Sequence, residues 1–247
     1  MLDPVVTIVL GLLAIFLAGV TYGLTGFGFA LVSVPLLMLL LPPRAVVPIV
    51  LLLSTLTGIA VAYEARKSVD LKRIWPLMVA GFVGMPLGTY LLTSLDANVL
   101  KAAIGAVITL IALAFLFGFQ RSVRNERLAC APIGFVSGLL NGSTGMSGPP
   151  VILFFNNQGI EKQVFRANLA TYFVALNFGT FAAQFIGGLF TREVLTYVLW
   201  FLPALFIGTW AGIRLSHRVR EAAFRRATLI IVSLAGLTSM LAGLGVI

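Results

Sequence analysis

At 247 residues, with 60% hydrophobic and 10% charged side chains and a mean hydropathy of +1.06, the chain is too apolar for a water-soluble domain, where about 25% of residues carry charge. A net charge of +9 could suit nucleic acid, but the basic residues fall in short connections between apolar runs, where they set membrane topology. Those runs are continuous and lack the alternation of an outer-membrane strand, so they read as helices of about 20 residues crossing a hydrocarbon core of about 30 Å.

The first apolar run, Val5 to Leu24, follows Met1-Leu2-Asp3-Pro4. That start lacks the basic region of a secretory signal, so the run reads as a retained span. Residues 5–41 hold one adequate helix and one short one, split around Gly26-Phe27-Gly28. Full spans follow at roughly 45–64, 74–93 and 98–118. Residues 129–156 hold two short pieces split around Gly142 to Pro150, and further spans follow at 167–187, 194–213 and 227–246.

Gly19-Val20-Thr21-Tyr22-Gly23-Leu24-Thr25-Gly26 and Gly138-Leu139-Leu140-Asn141-Gly142-Ser143-Thr144-Gly145 carry three glycines and a threonine at identical spacing. Arg44-Ala45 likewise resembles Arg166-Ala167, and Gly84 to Gly88 resembles Gly208 to Gly212. The fold expected is an all-α polytopic membrane protein of two repeats, residues 1–120 and 121–247, each a broken or re-entrant helical hairpin plus three transmembrane helices. An odd number of full spans per copy makes the second copy inverted. If each hairpin returns to its starting side, the basic clusters at 66–73, 121–127, 162–166 and 214–226 all face the cytoplasm and both termini lie outside. Glycines four apart at 84–88 and 208–212 read as close helix contacts.

The breaks are where chemistry is expected. Glycine permits the turn, and a helix restarting beyond it points free N–H groups and a positive dipole end into the gap. Pro149 and Pro150 suit the first turn of such a restart. Two helix N-termini converging near the bilayer middle would hold a small anion. Thr25, Gly26, Gly28, Asn141, Ser143, Thr144, Gly145, Ser147 and Gly148 are the candidate substrate-binding residues, with Arg166 and Asn168 on the polar stretch that also carries Thr171 and Asn177. The plainer alternative is that the glycines permit tight crossings and the hydroxyls bond back to their own helices.

The carboxylates Glu64, Asp70, Asp96, Glu126, Glu161, Glu193 and Glu221 sit at span ends or in loops, so no buried acid offers a proton-driven cycle. Cys130 and His217 stand alone in their residue types, which gives no disulfide, metal or cofactor site. A hydroxyl nucleophile such as Ser147 has no convincing base nearby, which argues against an intramembrane enzyme. A passive anion channel uses the same electropositive helix ends as a carrier and remains the alternative transport reading. The partners expected are a small anion and the lipid bilayer, with no nucleic acid; a homo-oligomer is compatible.

Gly23-Leu24-Thr25-Gly26-Phe27-Gly28 through Pro35, with its counterpart from Gly138 to Pro150, resembles the duplicated signature of the TauE/SafE family of membrane permeases. The resemblance extends over nearly the whole chain, although the family often has consecutive glycines where this chain has Gly26-Phe27-Gly28. It implies a bacterial inner-membrane transporter that moves sulfite, thiosulfate or an organosulfonate, usually outward, by alternating access.

Overall fold

The computed structural model describes residues 4–117, 126–156, 158, 161–215 and 221–246. Ten α-helices are found there: α1 Pro4–Thr25, α2 Phe29–Met38, α3 Pro43–Ala65, α4 Leu71–Ser94, α5 Ala97–Leu116, α6 Glu126–Thr144, α7 Gly148–Asn156, α8 Lys162–Ile186, α9 Arg192–Leu215 and α10 Glu221–Gly243. Six of the described helical segments are long and apolar enough to cross a membrane. The basic positions Arg121, Arg124, Arg218 and Arg220, with His217, lie outside the described residues, as do the side chains of Arg127, Lys162, Glu221, Arg225 and Arg226.

Both interrupted regions are broken where the glycines predict, but α6 starts earlier than 129 and runs for 19 residues, about 28 Å at 1.5 Å per residue. Its partner α7 has nine residues and opens with Gly148-Pro149-Pro150. The two prolines thus occupy a first turn whose N–H groups have no intrahelical acceptor to lose.

The helices group into two compact units, each drawing on both halves of the sequence. One contains Met1–Val50, Leu95–Phe119 and Phe190–Ile247; the other contains Leu51–Ser94 and Gln120–Leu189. In the first unit α1 runs parallel to α9. Gly19 faces Leu205 and Thr209, Gly23 faces Thr209 and Ile213, and Gly208 and Gly212 sit against the carbonyls of Phe16 and Val20. In the second unit α4 runs parallel to α6 through the same device. Gly138 faces Gly81, Gly142 faces Met85 and Thr89, and Gly84 and Gly88 sit against the carbonyls of Phe135 and Leu139.

These contacts divide the eight-residue repeat into two jobs. Its first two glycines lie inside continuous helix and remove the side chains that would hold two backbones apart, whereas its third, Gly26 or Gly145, ends the helix with a φ of 78° or 72°. A positive φ is open to glycine at little cost because no Cβ meets the backbone. Without a hydrophobic drive between helices in lipid, contacts of this closeness supply the van der Waals packing that associates them.

Each unit has its own interior. Ile15, Val34, Leu37, Ile108 and Phe201 are fully or almost fully enclosed in the first, and Leu53, Ile74, Leu77, Phe155 and Tyr172 in the second. Large apolar side chains also point outward, including Leu110, Leu199, Trp200, Phe206 and Trp210 on the first unit and Trp75, Val83 and Tyr90 on the second. Such outward surface is unfavourable in water and suited to acyl chains.

Within the second unit, the starts of α4, α6 and α8 share one end. Arg73 Nη2 lies 3.3 Å from Glu126 Oε2, and the Asp70 backbone N–H donates to Asn168 Oδ1 at 2.8 Å. The α6–α7 hairpin therefore leaves this end and returns to it.

Candidate functional site

The α6–α7 break is built from the last turn of one helix and the first of the next. Gly145 N–H closes the final turn onto the Asn141 carbonyl at 2.9 Å. Met146 N–H donates to Thr144 Oγ1 at 3.1 Å. From within α6, the buried Ser137 hydroxyl donates to the Ser147 carbonyl at 2.6 Å and ties the far side of the turn back to the helix. Ser147 is itself buried. At Gly148 an added Cβ would meet the side-chain ends Ile152 Cδ1 at 3.1 Å and Phe173 Cζ at 3.5 Å, so a larger residue there crowds the start of α7.

Several candidate hydroxyls follow the plainer alternative. Ser143 and Thr144 donate to the carbonyls of Leu139 and Leu140 at 2.8 and 2.6 Å. Thr25 Oγ1 lies 2.8 Å from the Thr21 carbonyl and 2.6 Å from that of Phe27. These bonds give helix-end hydroxyls a local partner, and they leave the approach to an anion chiefly to backbone N–H groups.

Asn141 belongs to a different structure, a polar network that joins α3, α6 and α8, buried on α6 and α8 and half-buried at its α3 end. Its Nδ2 donates to Asn177 Oδ1 at 3.2 Å and to Thr180 Oγ1 at 3.3 Å. Asn177 Nδ2 donates in turn to Ser54 Oγ at 3.3 Å and Thr55 Oγ1 at 3.0 Å. Gln184 Nε2 reaches the Gly142 carbonyl at 3.5 Å. Asn177, Thr180 and Gln184 recur along one stripe of α8, and all three are buried. Asn177 was legible as part of an unusually polar span, but Ser54, Thr55, Ser137 and Thr180 carry no sequence signal that separates them from ordinary helix hydroxyls.

The remaining candidates lie elsewhere. Arg166 is exposed, 3.9 Å from Glu64 Oε2, and Asn168 anchors the turn before α4 through Asp70. Both lie toward the shared helix-start end of the second unit. Arg44 donates to the Leu95 carbonyl at 3.0 Å, just beyond the end of α4.

Thr25, Gly26 and Gly28 form the α1–α2 break of the first unit. Gly28, with a φ of 90°, precedes α2. The cavity beside it measures about 20 Å³ and is lined by Thr21, Thr25, Phe27, Leu31, Phe115 and Leu229 among others. That volume holds about one water.

Glycine-stitched helices, paired breaks and outward apolar surface describe a polytopic membrane transporter. The sequence matches the family described as Sulfite exporter TauE/SafE over residues 11–239. This chain belongs to that family, whose members are membrane transporters rather than enzymes. No curated protein and no solved structure matches it.

Proposed function

We propose that this chain exports sulfite or a small organosulfonate across the bacterial inner membrane and that the α6–α7 break holds the anion. The carrying observation is the glycine-opened start of α7 beside buried Ser147. With Pro149 and Pro150 lacking donors, the free N–H groups at the positive end of the helix dipole are those of Ser147 and Gly148. A few neutral donors hold an oxyanion without trapping it, which suits turnover. Gly145 provides the turn, Ser147 the side-chain hydroxyl, and the Asn141 network fixes the position of the last turn of α6.

In this reading the repeats, residues 1–120 and 121–247, are inverted copies, supported by the matching glycine contacts in the two helix pairs. The basic loops are cytoplasmic and both termini external. Arg166 and Asn168, at the helix-start end of the second unit, would meet an anion on its cytoplasmic approach. Thr25, Gly26 and Gly28 form the corresponding turn of the other copy.

Sulfite flux into proteoliposomes tests the assignment. Saturable, protein-dependent flux is expected, falling to the level of protein-free vesicles in Gly148→Leu while the variant remains folded. Absence of flux in the unmodified protein, or full flux in Gly148→Leu, overturns the reading.

A further inference from the structure

The hydrogen-bond directions in the Asn141 network can be fixed by counting protons. The hydroxyls of Ser54 and Thr55 both point to the Leu51 carbonyl, at 3.1 and 2.6 Å. Each hydroxyl has one proton to donate, so toward Asn177 both act as acceptors. Asn177 must therefore present its NH₂ group to them and its oxygen to Asn141. Asn141 must then present its NH₂ group to Asn177 and to Thr180, whose own proton faces Met85 Sδ at 3.4 Å. The Gly142 carbonyl can only accept, which sets Gln184 with its NH₂ group toward α6.

After this count the network keeps two amide oxygens without a donor, with one proton of Gln184 Nε2 beside them. Asn141 Oδ1, Gln184 Oε1 and Thr89 Oγ1 are buried with no hydrogen-bond partner, and their residues are 0%, 0% and 5% exposed. Their residues all adjoin Gly142: Asn141 precedes it, Gln184 Nε2 reaches its carbonyl, and Thr89 N lies 2.7 Å from where a Gly142 Cβ would stand. Gly142 belongs to the last turn of α6, where carbonyls lack intrahelical donors and the helix dipole is negative. Among the described side chains of α4, α6 and α8, charges are confined to Lys72, Arg73, Glu126 and Arg166 in the first two turns. From Glu126 to Asn141 is about 22 Å along the helix.

We infer that the last turn of α6 binds a monovalent, oxygen-seeking cation, with Na⁺ the fitting probe, through Asn141 Oδ1, Gln184 Oε1 and Thr89 Oγ1. Helix C-termini and unwound carbonyls hold such ions in other broken-helix transporters, and neutral oxygens suffice for a weakly held, exchangeable ion. The same break then offers a negative helix end to a cation and a positive one to an anion, so each partly offsets the charge of the other during crossing. The cation site stands on the oxygen count and holds whichever anion is carried.

Thermal unfolding of the purified full chain, with NaCl exchanged for choline chloride at constant ionic strength, tests this. Na⁺ is expected to raise Tm saturably. Gln184→Glu, which adds a charge to the same cluster, should lower the half-maximal Na⁺ concentration by about tenfold or more, and Thr89→Val should raise it. Direct ²²Na⁺ binding to the unmodified protein gives the same answer without relying on any variant's folding. Equal Tm in the two salts with no ²²Na⁺ bound overturns the proposal, because water then satisfies the oxygens. Loss of sulfite flux with Na⁺ stabilisation intact would instead reject the anion assignment and leave the cation site standing.

Discussion

The α1–α2 and α6–α7 breaks share the glycine spacing that leads into them and a left-handed glycine at the helix end, Gly26 or Gly145, yet they differ in what surrounds them. Around the first, Thr25 bonds local backbone and the adjoining cavity is small and mostly apolar. Around the second, α3 and α8 bring in Ser54, Thr55, Asn177, Thr180 and Gln184. A repeated motif can therefore set a backbone shape, while the helices packed against it decide what that shape binds. The glycines before the breaks are alike in both units because they serve helix contact, where the requirement is only the absence of a side chain.

Two matched pairs of variants and one single variant test this division. The largest effect is expected at the shared contacts: Gly19→Val and Gly138→Val each drive a side chain into a neighbouring helix backbone. Both should destabilise by about 3 kcal/mol or more, the upper range of overpacking, as read by thermal unfolding in detergent. Unequal losses would show that the two pairs are not equivalent. Next, Asn141→Leu removes a donor from Asn177 Oδ1 and should cost about 1–3 kcal/mol of stability. The matching change at the other break, Thr25→Val, removes only local contacts with the Thr21 and Phe27 backbone and should cost about 1 kcal/mol. Smallest is Glu126→Gln, which breaks a partly exposed ion pair with Arg73. It should shift stability by about 0–1 kcal/mol and less at high salt.

Much of the fold was legible because membrane helices announce themselves through long apolar runs. Positive φ was foreseeable at Gly26, Gly28 and Gly145, as was the proline-led restart of α7. The pairing of α1 with α9 and of α4 with α6 was not legible, because a glycine four residues from another marks a close contact without naming its partner. The site was legible as backbone and obscure as chemistry. Asn141 reads as a donor in sequence, but its two amide protons face Asn177 and Thr180, so the structure leaves it with only an oxygen. Ser54 and Thr55 looked like ordinary helix hydroxyls because their role depends on Asn177, over a hundred residues away.

The position of the anion at the start of α7 can be seen directly. Soaking the protein with selenite, an electron-rich analogue of sulfite, and mapping its anomalous density would locate that anion directly. A peak is expected within hydrogen-bonding distance of the Gly148 N–H and Ser147. A peak elsewhere, with none at the start of α7, would contradict that placement.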